Sequence, residues 1–322
     1  MTSSIEKAAQ RLEQLRKAGA VLPDDKFQSE RVNSPETVQV SRGVVRSTAE
    51  TESDTHAASQ QRPVSKAVQI DLTALSASGY VTPSAPRSLT TDQYRVIKRP
   101  LLDNATGKGA SLVANGNLIM VTSALPGEGK SFTSINLAMS LAMELDHTVM
   151  LVDADVTRAS VMAKLGLPPA AGLLDILSSP RTKLSDVLLR TNVDKLTLLP
   201  AGLPHERATE LLASDAMTNL LDEMSKRYSD RIIIFDSPPL LLTTEARVLA
   251  THMGQVVVVV RAEKTLQSDV EHALATIESC PIKLMVLNQV RNQGLGAYGY
   301  GYGHSYGSVA QDPIRPAVAA AA

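Results

Sequence analysis

Ala124-Leu-Pro-Gly-Glu-Gly-Lys-Ser131 has the residue types and spacing needed to hold phosphate. Glycines at 127 and 129 let the backbone curl its N–H groups around a β-phosphate, and the helix expected after them adds its positive N-terminal end. Lys130 is placed to reach β- and γ-phosphates and the Ser131 hydroxyl to ligate Mg²⁺. Pro126, Gly127, Glu128, Gly129, Lys130, Ser131 and Phe132 are therefore the candidate nucleotide-binding residues. The first glycine of the usual pattern is Ala124 here, which is small enough to keep the turn.

Two other segments end apolar runs in carboxylates. Val149-Met-Leu-Val-Asp153-Ala-Asp155 and Ile232-Ile-Ile-Phe-Asp236-Ser-Pro-Pro239 read as buried strands whose acidic ends meet at the carboxyl edge of a sheet, where ligands bind in doubly wound folds. Mg²⁺ takes octahedral oxygen coordination and keeps several waters, so one or two carboxylates with Ser131 and phosphate oxygens suffice. One aspartate alone reads equally well as a cap or turn residue. Three at the same edge as a phosphate loop read as a site.

The elements that must carry these residues alternate in type. Short β-rich runs at 118–122, 147–152, 195–199, 231–235, 255–260 and 283–287 are separated by helical patterns at 129–145, 159–165, 207–227, 244–252 and 265–279. Near-continuous apolar strands such as Val256 to Val260 imply a sheet covered on both faces. The expected fold is α/β, a doubly wound, mostly parallel sheet of the P-loop NTPase type flanked by helices.

Outside that core, residues 1–20 read as an amphipathic helix with Ile5, Ala8, Ala9, Leu12 and Leu15 on one stripe, Ser3 and Glu6 as a capping box and Gly19 as a stop. Residues 21–68 are too poor in large apolar groups to offset ordering entropy and read as a linker. A short ordered segment at 69–86 precedes the domain at 87–293, which opens on a helix from Thr90 to Leu102 expected to run only to Pro100. Residues 294–322 read as a mobile tail, with six glycines and four tyrosines between Gly294 and Gly307.

The 322 residues carry a net charge of −1, which removes the basic balance expected of a nucleic-acid binder. A single cysteine, Cys280, and six histidines without ligand spacing point away from disulfides and metal cages. With no apolar secretory region at the start and no apolar run approaching the 18 or more residues of a membrane span, the expected location is cytoplasmic, with any membrane recruitment through a partner.

Taken together, the Pro126–Ser131 loop, Val152-Asp-Ala-Asp-Val-Thr-Arg158, the Asp236-Ser-Pro-Pro239 strand end and the tyrosine cluster resemble the bacterial tyrosine kinases of polysaccharide export, and more narrowly the tyrosine autokinases linked to exosortase-associated exopolysaccharide genes. The resemblance extends from the first helix through Ile70–Pro83 and Tyr94–Ala105 to the tail. It implies ATP and Mg²⁺ as cofactors, Asp153 as the base that takes the tyrosine proton, and Asp155 and Asp236 with Ser131 as metal ligands. Lys130 and Arg158 then serve catalysis as cations. Asn288, at the end of the last strand, falls where related ATPases contact adenine.

By the same resemblance Tyr298, Tyr300, Tyr302 and Tyr306 are phosphoacceptors, modified between subunits. Asp92, Arg95 and Lys98 match a ring-forming motif in which glutamate and arginine stand at the ends. The implied partners are a membrane-embedded polysaccharide co-polymerase or chain-length determinant as activator, further copies of the chain in a ring, and a cognate tyrosine phosphatase. Thr157 and Ala159 depart from the family's usual arginine and proline. Two other readings stay open: a catalytically weak, nucleotide-dependent scaffold of the export complex, and a partitioning or division-site ATPase, against which Leu125 stands where those proteins carry a second lysine.

Overall fold

The computed structural model describes residues 66–109, 112–228 and 230–291. The expected N-terminal helix and the tyrosine tail lie outside these residues, as does the linker apart from its last three positions. The described chain opens with β1 (Lys66–Ala67), α1 (Leu72–Ala77), α2 (Leu89–Ala105), β2 (Leu118–Ser123) and α3 (Lys130–Ala142). It continues through β3 (Thr148–Asp153), α4 (Val161–Lys164), α5 (Leu173–Ser178), α6 (Leu184–Val187), β4 (Leu189–Arg190) and β5 (Leu196–Leu199). It ends with α7 (Ala208–Leu212), α8 (Asp215–Arg227), β6 (Arg231–Asp236), α9 (Thr244–Thr251), β7 (Gln255–Arg261), α10 (Gln267–Ala275) and β8 (Ile282–Asn288).

The eight strands form one sheet in the order β1-β4-β5-β3-β6-β2-β7-β8, parallel except where β4 runs against β5. Alternation along each strand decides which face a residue covers. Leu118, Met120, Met150, Val152 and Phe235 join one core cluster with Met217, Leu221 and Leu249 of α8 and α9. Ile119, Val121, Leu151 and Ile234 join the other, with Ile135, Met139 and Leu101 of α3 and α2. Both faces are therefore buried, as the continuous apolar runs require. Register brings the acidic ends together, with Asp153 opposite Asp236 across β3 and β6, and Val121 opposite Asp236 across β2 and β6.

Several boundaries differ from those read in the sequence. The single helix expected at 207–227 is two, α7 and α8, because the Ser214 side chain accepts the Met217 N–H and starts a new helix there. Helix α2 runs on through Pro100 to Ala105. The carbonyl that this proline leaves without a donor belongs to Val96, an exposed residue, where water can serve it. Lys66–Val68 belong to the sheet and not to the linker: β1 pairs with β4, and the Val68 N–H donates to Arg190 O at 2.8 Å.

Lys98 is a further correction, since its ammonium faces the chain's own interior and not a neighbouring subunit. It is 4 % exposed, donates to Ser140 O at 2.6 Å and pairs with Glu144 at 2.7 Å. A cation at the carboxyl end of α3 meets the negative end of that helix, which favours this inward placement. Arg95 remains exposed and Asp92 half-buried, with Asp92 bridged to Arg87 at 3.0 Å and Arg95 at 3.1 Å. Such surface pairs contribute only about 0–1 kcal/mol, which leaves them free to exchange partners.

Candidate active site

The phosphate loop takes its shape from backbone torsions that side chains disfavour. Gly127 and Gly129 have φ of 80° and 99°. A Cβ at 129 would also run into the Asn288 side-chain amide. That amide donates to Glu128 O at 2.9 Å, so Asn288 braces the loop. Glu128, expected among the nucleotide ligands, has its side chain turned inward and 2 % exposed. It accepts the Leu125 N–H at 2.8 Å and the Thr265 hydroxyl, and so ties the loop to the segment between β7 and α10. The Phe132 side chain packs on the Tyr80 ring, centroids 4.9 Å apart, on the α2 side of the sheet and away from the phosphate loop's concave face.

Lys130 Nζ lies 2.8 Å from Asp155 Oδ2, with Asp155 2 % exposed. Asp236 Oδ1 accepts the Ser134 hydroxyl at 3.0 Å, while its Oδ2 is buried without a partner. Burial pushes the Asp236 carboxyl up to about 6, against the opposing pull of Lys130 and the serine hydroxyls. Asp153 Oδ2 accepts the Ser160 and Val161 N–H groups, both at 3.0 Å, and its Oδ1 is also buried without a partner. Burial first, and then the negative charge of Asp236, push the Asp153 carboxyl up to about 7. The Ser160 hydroxyl sits 3.2 Å from that of Ser131. Ser134, Ser160 and Thr265 were not singled out in the sequence. Ser134 alone carried a signal, lying three residues after Ser131 on the helix and so one turn along the same face.

A cleft of about 570 Å³ opens over Lys130 and Asp155, lined also by Pro126, Gly127, Arg158 and Pro239 among others, while Asp153 lines a separate, smaller pocket. Thr157 and Arg158 are exposed on its wall. Among the described residues no three acidic, histidine or cysteine side chains close into a metal cage. The oxygens of Ser131, Asp155 and Asp236, with the buried unpartnered Asp236 Oδ2, nevertheless suit Mg²⁺, which completes its shell with phosphate oxygens and water. The arrangement can hold a nucleoside triphosphate by its phosphates and set a carboxylate beside the terminal one. No helix among the described residues is long and apolar enough to cross a membrane.

A family model described as an AAA domain matches residues 116–288. The tyrosine-protein kinase YwqD of Bacillus subtilis is 30 % identical over 217 residues, covering 67 % of this chain and 87 % of the relative. The tyrosine-protein kinase ptk of Acinetobacter johnsonii is 34 % identical over 185 residues, and the match spans 57 % of this chain but only 25 % of that relative's length. Among solved structures, the chimerical protein CapA2B2 superposes with a TM-score of 0.54 at 26 % identity, covering 69 % of this chain and 93 % of that one.

Proposed function

The chain belongs to the bacterial tyrosine-protein kinases, and from that premise we propose that it transfers the γ-phosphoryl group of ATP to tyrosine, first of all to Tyr298, Tyr300, Tyr302 and Tyr306 of its own kind. The observation that carries this reading is the meeting of Lys130, Asp153, Asp155 and Asp236 at the phosphate loop, with Asp153 Oδ1 unpartnered beside it. Backbone N–H groups of 127–131 and the Lys130 ammonium bind the phosphates. Ser131, Asp155 and Asp236 would hold Mg²⁺, which would neutralise negative charge on the phosphates. Asp153 accepts the phenol proton as the tyrosine oxygen bonds to the γ-phosphorus and the bond from phosphorus to the ADP oxygen breaks. Arg158 adds positive charge at the cleft wall.

The tails are exchanged between subunits of a ring, in which half-buried Asp92 and exposed Arg95 are available to neighbours and Lys98 supports α2 from within. Each phosphate adds a charge of about −1.5 to −2, so a phosphorylated cluster would repel itself and loosen the ring. That cycle would regulate polymerisation and export of an exopolysaccharide, with a membrane co-polymerase as activator and a tyrosine phosphatase as its reset, the chain itself working in the cytoplasm. The test mixes a Lys130→Ala chain, which keeps its tail, with a chain truncated after residue 293. Labelled phosphate is expected on the Lys130→Ala tail. No label there would rule out transfer between subunits, and ATP hydrolysis without label on any tyrosine of the intact chain would favour the scaffold.

A further inference from the structure

Two peptide units of the phosphate loop are held from behind by the carboxyl ends of β7 and β8. The Asn288 side-chain amide donates to Glu128 O at 2.9 Å, and that of Gln289 donates to Gly127 O at 3.2 Å. Glu128 reaches the same platform with its side chain. Its Oε1 accepts the Thr265 hydroxyl and its Oε2 the Leu125 N–H at 2.8 Å, while Thr265 Oγ1 in turn accepts the Arg261 N–H at 3.1 Å. The two strand ends are joined to each other, since Arg261 lies opposite Asn288 in the β7–β8 register and the Ala262 N–H donates to Asn288 O at 2.9 Å.

We propose that Asn288, Thr265 and the Glu128 carboxylate are positioning residues, which act through the loop's backbone to keep the Glu128 and Gly129 N–H groups turned outward as donors to phosphate. The inference rests on the reading of the loop as a phosphate cradle and adds what orients its donors.

Three observations carry it. The first is the geometry of the peptide unit: in a trans peptide the C=O and the N–H point in opposite directions. The carbonyls of Gly127 and Glu128 are engaged on the β8 side, so the N–H groups of Glu128 and Gly129 face away from β8, and among the described residues neither donates to a protein acceptor. The second is the loop's own freedom. Gly127 and Gly129 flank Glu128 at φ of 80° and 99°, and glycine takes either sign of φ at little cost, so nothing local stops these units from turning over. A unit turned over would present a carbonyl oxygen to the phosphate, exchanging attraction for repulsion. The hold therefore has to come from outside the loop. The third is the burial of Glu128, which is 2 % exposed with both carboxylate oxygens engaged. Buried polar groups persist where they are hydrogen-bonded, so removing the Thr265 hydroxyl would strand Oε1 and release the side chain that anchors the loop from below.

The test measures binding of ADP and of pyrophosphate, each with Mg²⁺, to the full chain by competition against a fluorescent ADP. Asn288→Leu, of similar shape but without a donor, is expected to raise Kd for both ligands by the same factor, at least tenfold. Thr265→Val is expected to raise both at least fivefold. Thr265→Ser, which keeps the hydroxyl, should stay within twofold of the parent chain, a rescue that packing alone would not give. Weaker ADP with unchanged pyrophosphate in Asn288→Leu would make Asn288 a contact to the base and overturn the clamp. Unchanged Kd values in Asn288→Leu and Thr265→Val, or a Thr265→Ser chain as weak as Thr265→Val, would overturn it as well. A parent chain that binds neither ligand would instead overturn the phosphate-cradle reading, and the inference with it.

Discussion

Replacing Lys130 by alanine is expected to lower phosphoryl transfer to tyrosine by roughly 10³-fold, the scale of losing one preorganised charge donor at a reacting phosphate. The same change should also weaken the fold, which a purely catalytic lysine would not do. Lys130 is the cation 2.8 Å from Asp155, whose side chain is 3 % exposed, and it lowers the cost of the buried Asp236 carboxylate as well. Breaking a buried pair from one side costs about 3–5 kcal/mol. For a domain of this size each kcal/mol moves Tm by about 2–4 °C, so a fall on the order of 10 °C is expected by thermal unfolding. Adding Asp155→Asn should restore most of the Tm and none of the activity, because it removes the stranded charge without returning a phosphate ligand. Full activity in Lys130→Ala would contradict the assignment of this lysine.

Asp153→Asn is expected to separate function from stability in the opposite sense. Loss of a general base lowers transfer by about 10²–10⁴-fold. The fold should gain, because the asparagine oxygen still accepts the Ser160 and Val161 N–H groups while a buried charge facing Asp236 is gone. The pH dependence follows from the direction of the shift. A carboxyl raised from 3.8 to about 7 holds its proton more tightly in the folded chain, so folded stability falls as pH rises through that interval. The Tm advantage of Asp153→Asn over the parent chain, measured with EDTA and without nucleotide, should therefore be small at pH 5 and larger at pH 8. An advantage that shrinks as pH rises would contradict this placement of Asp153.

The parts of the site legible in the sequence are those whose chemistry is local. Glycines before Lys130-Ser131, and aspartates ending apolar runs, announce themselves because a tight turn needs positive φ and a buried strand needs apolar residues right up to its polar end. The sheet was legible for the same reason. What the sequence hid depends on distant contacts. Lys98 has the pattern of a solvated helix face, and only its contacts with Ser140 of α3 and with Glu144, just beyond the end of that helix, turn it inward. Glu128 reads in the sequence as a nucleotide-binding residue of the loop, and only Thr265, far along the chain, supplies the partner that draws its side chain under the loop. The strands β1 and β4 are two residues each, too short to show a period, and exist because the edge of β5 offers hydrogen bonds to β4, and β4 in turn to β1. The parting of Asp153 and Asp155 into two cavities was equally hidden, since alternate spacing puts both on one side only while the strand continues.

The most direct test of the kinase assignment is site-resolved mass spectrometry of the intact chain after incubation with ATP and Mg²⁺. Phosphate is expected on one or more of Tyr298, Tyr300, Tyr302 and Tyr306 in the parent chain, and none on Lys130→Ala incubated alone. ATP consumed while all four tyrosines stay unmodified would contradict it.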